Sequence, residues 1–465
     1  MAAANRINHA AVAFWCFAMS VAWLPIGLGG DRPVPLGLAQ AGLALSCLFL
    51  FLEPKNLSRT PFFPRLRWAL GLLAAVAVWA WLQTQSFMPA AWVHPVWQEA
   101  SEVLKTPLAG TIAVSPEDAL YGLSRFITCI AAGLLAYTLG QDTHRARQFV
   151  QALWLTGVVI CAYGLLVQIT GSHKILWLDK WIFSNDLTAT FINRDDFALY
   201  AGIVLVCGVA LLAQSWQEDV LAKRIHRRPV AIKEWLMRHG ITEVFMLALV
   251  VTSIVLSHSR AGFVLGLAGI GGYAFFYQIY CKAWRRAILV ALLALLGAAF
   301  ALVLIVHAPG SRFADLLTDN SSRDRFKVYG WALDAIRANP WLGYGLNGFP
   351  AVYRLYQQDM NVLFMRAHSD WLESLLDLGL PAGLVLWAAI ALLLSGLLRG
   401  VMRRRRYGMF PVLGLTASLM VLAHAAIDFS LQIPGIALSW SALLGLGLAQ
   451  SWGQADKQAL ARRKD

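Results

Sequence analysis

The stretch from Ala287 to His307 reads AILVALLALLGAAFALVLIVH, twenty-one residues without Asp, Glu, Lys or Arg, and it is entered from Lys282, Arg285 and Arg286. An apolar run of about 20 residues is long enough to cross the hydrocarbon of a bilayer as a helix. Basic residues beside such a run stay on the cytoplasmic side. Working outward, uncharged or nearly uncharged segments of similar length recur along the chain. The predicted spans are 12–29, 35–53, 68–85, 119–138, 149–169, 195–213, 240–257, 261–280, 287–307, 371–398, 409–427 and 434–450. Segment 371–398 is long enough to tilt or to project beyond the bilayer. Hydrophobic residues make up 58% of the 465 and charged residues 14%, against about a quarter charged in soluble domains. The expected fold is therefore an all-α polytopic membrane protein with about twelve transmembrane helices. It forms a single integral membrane domain over 1–465.

The formal charge of +13 invites a nucleic-acid reading, so its placement decides the matter. Of the 39 Lys and Arg, 25 lie in the termini and in every second connector. The clusters are Lys55/Arg59/Arg65/Arg67, Arg145/Arg147, Lys223 to Arg238, Lys282/Arg285/Arg286, Arg399 with Arg403 to Arg406, and Lys457 to Lys464. With twelve spans and both termini cytoplasmic, all fall on one side, which is the positive-inside pattern and not a nucleic-acid groove. The expected partners are thus membrane lipids and no nucleic acid. The six cysteines stand singly and form no C-x-x-C pair, so no disulfide framework or thiolate metal site is expected. Residues 12–29 read as a retained first span, not a cleaved signal.

The opposite side receives three substantial connectors, 86–118, 170–194 and 308–370. The last, a large loop between spans 9 and 10, far exceeds what a turn between helices needs. Its Arg325, Phe326, Val328, Trp331, Ala332 and Ile336 pattern predicts a short amphipathic helix. Polar residues gather on this side: Arg194 after Asn193, Arg260 between two apolar helices, Arg323 and Arg325 in the long loop, Arg366 and His368 at its end, and His424 with Asp428. Asp370 reads as an N-cap and Glu373 as its N3 partner, a capping box that leaves His368 just outside the helix. A neutral His there could accept a proton from an attacking hydroxyl. Several Arg would suit a diphosphate, because guanidinium groups pair with phosphate oxygens and keep their charge. Each residue also has a plainer reading. His368 could be a polar loop residue, Arg260 an interfacial anchor, and Arg323 and Arg325 partners of Asp319 and Asp324. The favoured reading of His424 and Asp428 is that they bond each other and pack the bundle. No zinc-protease motif, P-loop or dinucleotide fingerprint is present; no metal or other cofactor is expected. On this chemistry alone, a transferase and an anion transporter remain open.

Several segments nevertheless resemble one family. Phe191-Ile192-Asn193-Arg194-Asp195-Asp196-Phe197-Ala198 is similar to an aromatic-x-Asn-x-Asn-x-Phe-Ala segment of the bacterial O-antigen ligase and polymerase superfamily, with Asp195 where Asn is common. Ser257-His258-Ser259-Arg260-Ala261-Gly262 resembles its Ser-Arg-x-Gly signature. Ser322-Arg323 to Trp331, then Pro340, Gly343, Gly345 and Gly348-Phe349, resemble its large periplasmic loop. Ala367-His368-Ser369-Asp370-Trp371-Leu372-Glu373, with Gly379 and Gly383 behind, resembles its Ala-His-Asn helix start. His424 and Asp428-Phe429 before Pro434 are a weaker match. The resemblance covers roughly 185–435 and implies a glycosyltransferase of the inner membrane using an undecaprenyl-diphosphate-linked glycan donor. It implies His368 as the catalytic or acceptor-activating residue. Arg260, Arg194 and one of Arg323 and Arg325 would engage the diphosphate, with Asn193, Arg366, Asp370, His424 and Asp428 in support. The acceptor would be lipid A-core in a ligase, the favoured reading, or a second lipid-linked glycan in a polymerase. A transporter of anionic lipid-linked sugars is the alternative from a different class. It would show deep charges and an inverted repeat, whereas Arg125 is the main deep charge and no repeat is found.

Overall fold

A computed structural model describes residues 8–52, 63–307, 320–356, 364–404 and 407–452. Apolar composition makes nearly all of it helical, because backbone polar groups in hydrocarbon must be satisfied within their own segment. In chain order the helices are α1 His9–Trp23, α2 Pro33–Phe51, α3 Phe63–Leu82, α4 Val96–Leu104, α5 Pro116–Leu139 and α6 Thr143–Ile169. A two-residue antiparallel ribbon, β1 Lys174–Ile175 with β2 Leu178–Asp179, follows in the next connector. Then come α7 Arg194–Trp216, α8 Arg228–Trp235, α9 Ile241–Leu256, α10 Arg260–Tyr280 and α11 Trp284–His307. The chain continues with α12 Asn320–Ala338, α13 Phe349–Tyr356, α14 Asp370–Arg403, α15 Met409–Ala425 and α16 Pro434–Ala449.

Each of the twelve segments predicted to span coincides with one of these helices. Among the described residues, seven helices are long and apolar enough to cross a membrane by length and composition, or eight if the bent pair Ile225–Arg238 and Ile241–Leu256 counts as one span. Leu66–Leu82, Met409–Ala425 and Pro434–Ala449 are apolar but shorter. The outermost helices turn large apolar side chains outward, among them Val78, Val159, Phe245 and Leu289, as a lipid-facing surface requires.

At the centre α7 packs against α6, α9, α10 and α15, and α16 packs along α5. Every residue of α16 is buried. Lipid tails are as apolar as Leu, so helices associate here by close packing and not by expulsion of water. Small residues permit it: a Cβ placed on Gly445 of α16 would stand 2.1 Å from the carbonyl oxygen of Gly133 on α5.

Connector contacts sort the helix ends into two faces. On one, Arg147 pairs with Glu218, Arg404 Nη1 donates to the Trp452 carbonyl and Gln450 donates to Gly140. On the other, Thr190 bonds Pro25, the Leu187 amide bonds the Leu256 carbonyl and the Val114 amide bonds Tyr344. His368 lies on this second face, the site face.

One break shapes that face. Within α14, Gly379 has φ +76 and ψ 161, and Pro381 follows. Pro381 has no N–H to close on Asp377, so the Asp377 carbonyl accepts the Gly345 amide at 2.9 Å and Gln83 Nε2 at 2.8 Å. Trp79 Nε1 bonds the Leu378 carbonyl at 2.9 Å, and the Leu380 amide turns to Pro340 at 2.8 Å. The loop Pro340–Gly345 and the end of α3 thus replace the missing helical ladder. Gly379 is obligatory, since a Cβ there would meet the Trp341 carbonyl oxygen at 2.5 Å.

The predicted amphipathic helix of the long loop is α12, which buries Val328, Ala332, Ala335 and Ile336 with Tyr344 and Tyr353 in a small core of its own. Residues 308–319 and 357–363 of that loop, the Arg323 side chain, and most of the basic clusters at 53–62 and 453–465 lie outside the described residues.

Candidate functional site

The start of α14 is set one residue earlier than the sequence predicts. Ser369, not Asp370, is the N-cap, its hydroxyl accepting from the Leu372 amide. Glu373 therefore sits at N4 and reaches back to the Ala367 amide at 3.0 Å and to Arg366 at 3.5 Å. Asp370 is freed from capping to bind another segment: its Oδ2 accepts the Leu431 amide at 2.9 Å, while its own amide donates to the Asp428 carbonyl. Segments 366–370 and 428–431 are thereby laced together.

His368 is held between them. Its φ of +52 is left-handed, a conformation that costs a β-carbon residue about 1–2 kcal/mol and marks a geometry fixed by its surroundings. Its carbonyl accepts the Tyr329 hydroxyl of α12 at 2.8 Å. Phe364 and Phe429 meet the imidazole edge-on at 5.9 and 5.0 Å, and the side chain is 19% exposed. Nδ1 stands 3.0 Å from Asp428 Oδ1. A carboxylate only accepts, so Nδ1 carries the proton and Nε2 is left as the basic nitrogen.

This overturns the expected His424–Asp428 pair. Asp428 bonds His368, because the turn after α15 carries it across to the α14 start. His424 instead places Nδ1 2.7 Å from the Ser430 hydroxyl, which donates to Asp196 of α7 at 2.9 Å. Burial opposes the charged form of Asp428, yet the hydrogen bond from His368 and the charges of His424, His368 and Arg325 outweigh it. Its pKa lies below the ordinary carboxylate value.

Arginines stand on the α7 and α10 side. Asn193 caps α7, accepting the Asp195 amide at 2.9 Å, and Arg194 is the first helical residue. Its guanidinium bonds Asp186 at 2.7 Å and lies 5.0 Å over the Phe183 ring. The second Asp186 oxygen is 2.8 Å from His258 Nδ1. Two residues on, Arg260 opens α10 behind the cap Ser259. Arg325 of α12 lies 4.0 Å from Asp195, and its charge also bears on Asp428. Two helix N-termini and their arginines therefore face the same side as His368, an arrangement that favours an anion. Arg325 links the two halves.

Arg366 does not join this group. It bonds Asn347 and Glu373, a carboxylate with no exposure, and so stiffens the α14 start. Sequence reasoning missed Asp186, Asp196, Ser430 and Tyr329. Only the fold brings Tyr329 to His368, 39 positions on, Asp186 to His258, 72 positions on, and Asp196 to Ser430, 234 positions on.

No curated protein matches the chain. Residues 245–388, from α9 into α14 and including Arg260, Arg325 and His368, match the family model described as O-antigen ligase, which supports the resemblance to the O-antigen ligase and polymerase superfamily.

Proposed function

We propose that the protein transfers a glycan from undecaprenyl diphosphate to a lipid A-core acceptor on the periplasmic side of the bacterial inner membrane. In this reading all twelve apolar helices cross, both termini are cytoplasmic and the site face is periplasmic. Residues 308–370 form the large loop of a single membrane domain. The observation that carries the proposal is the His368–Asp428 pair at 3.0 Å, set beside Arg325 and the arginine-bearing starts of α7 and α10. The match of residues 245–388 to the O-antigen ligase family model supports ligase-type glycan transfer in general.

His368 Nε2 accepts the proton of the acceptor hydroxyl as its oxygen attacks the anomeric carbon. The bond from that carbon to the diphosphate oxygen breaks, and its electron pair leaves with the diphosphate. Asp428 holds the imidazole tautomer and balances the imidazolium that forms. Arg194, Arg260 and Arg325 (with Arg323 as the alternative to Arg325) bind the diphosphate and stabilise the charge it gains on departure. Asn193 and Asp370 hold the helix starts that carry these groups. No cofactor is required.

Reconstitution with a defined undecaprenyl-diphosphate glycan and two acceptors, lipid A-core and a second lipid-linked unit, tests this. Product size and linkage separate a ligase from a polymerase, and absence of turnover with either returns the transporter. His368→Ala should abolish transfer while membrane insertion is kept; an active variant would remove His368 from the catalytic role.

A further inference from the structure

A groove of about 220 Å³ runs along α5, α16, α3 and α14. It extends from Arg125 and Gln432 at the site face to Tyr137 and Leu448 near the opposite one. At a helical rise of 1.5 Å per residue its length is about 20 Å, a large part of a hydrocarbon core about 30 Å thick. Its walls are mostly apolar; the polar groups collect mainly at the site-face end. There Arg125, buried and only 8% exposed, donates to Gln432 Oε1 at 2.8 Å. Asp370 and Asp377 line the same end, each keeping one buried carboxylate oxygen that has no hydrogen-bond partner among the described residues.

We propose that this groove seats a hydrocarbon chain of the glycan acceptor, a lipid whose head offers hydroxyl groups. The inference rests on the glycan-transfer reading and deepens it. Buried carboxylate oxygens without partners call for donors, and sugar hydroxyls supply them, while Arg125 donates to glycan oxygens. The arginines assigned to the diphosphate lie with α7, α10 and α12 instead. The segment 428–432 joins the two sites. Asp428 at its start orients His368, and Gln432 at its end holds Arg125. A chain in the groove therefore leaves its head at the α14 start, where Asp370 lines the groove two residues after His368.

The test uses the full-length protein in lipid nanodiscs with two diazirine-bearing probes, dodecyl maltoside and dodecyl phosphate, and maps adducts by peptide mass spectrometry. The maltoside should label the α5 and α14 segments around Ile130 and Ile390 at least fivefold more than the phosphate does. Ile130→Trp, which fills the groove, should remove most of that labelling, as should the milder Ile390→Phe. Labelling around Val159, exposed on α6, should not change. Equal labelling by both probes, preference for the phosphate, groove labelling no stronger than at Val159, or labelling that survives both substitutions would each overturn the proposal. No turnover is read, so the result is separate from whether glycan transfer occurs. His368→Ala should label like the wild type.

Discussion

Replacing Asp428 with Asn removes one charge and almost no volume, so it isolates what the carboxylate does for His368. Asn can still accept the Phe429 amide, which Asp428 holds at 2.9 Å, and the turn after α15 should keep its shape. What is lost is a charge-assisted hydrogen bond of 3.0 Å on a side chain only 3% exposed. Hydrogen bonds to charged groups contribute about 1.5–3 kcal/mol. The imidazolium exists only as the acceptor hydroxyl is deprotonated, so the loss should fall on the transition state. At 1.36 kcal/mol per decade this is roughly a ten- to 150-fold fall in rate. The assay is the initial rate of glycan transfer in proteoliposomes with each substrate varied in turn. Because Asp428 contacts neither substrate in this mechanism, kcat should fall while both KM values hold within about twofold. A folded Asp428→Asn protein with wild-type kcat would refute the pairing as a catalytic device, and so would a loss confined to KM.

Further outcomes are expected. The folded-state pKa of Asp428 lies below its ordinary value, so its contribution to stability is present above the carboxylate range and lost as pH falls through that lower value. The Tm advantage of wild type over Asp428→Asn should therefore hold from pH 7 to about 5 and shrink below about 4; an advantage unchanged at pH 3 contradicts it. Arg194→Lys keeps the charge but loses the planar fork, and kcat/KM for the donor should fall roughly tenfold, through a higher KM and a lower kcat together; an unchanged kcat/KM removes Arg194 from diphosphate binding. Gly379→Ala combines a φ of +76 with a Cβ 2.5 Å from the Trp341 oxygen. It should destabilise by about 2–5 kcal/mol, seen as a lower unfolding temperature, and a wild-type temperature would show that the break is slack.

The helices were legible because a span must be written as an apolar run of fixed length, and basic residues mark one set of its ends. Ala287 to His307 needs no partner to be read. His368, Arg194 and Arg260 were legible because each stands where such a run begins. The pairing of Asp428 was not, since its nearest sequence neighbour of the right chemistry, His424, lies one helical turn away and competes in any local reading. The fold decides against it by turning the chain sharply after Ala425. The cap was misplaced by one residue for a similar reason. Ser369 and Asp370 are equally good caps in isolation, and only the Leu431 amide, sixty-one positions on, claims the Asp370 carboxylate.

The break at Gly379 and Pro381 also has a mechanical meaning. α14 is the longest helix among the described residues, at 34 residues, and an unbroken rod of that length would carry every change of tilt straight to its end. Membranes differ in thickness, and long helices answer by tilting. Here the outer segment from Asp370 to Leu378 is bolted to α3 and the Pro340–Gly345 loop, while the segment beyond Pro381 rests in the bundle on its own bonds. Tilt of the inner segment is taken up at the joint. His368 should then keep its register with Asp428 in thin and thick bilayers alike, and on the glycan-transfer reading the rate should be insensitive to the surrounding lipid.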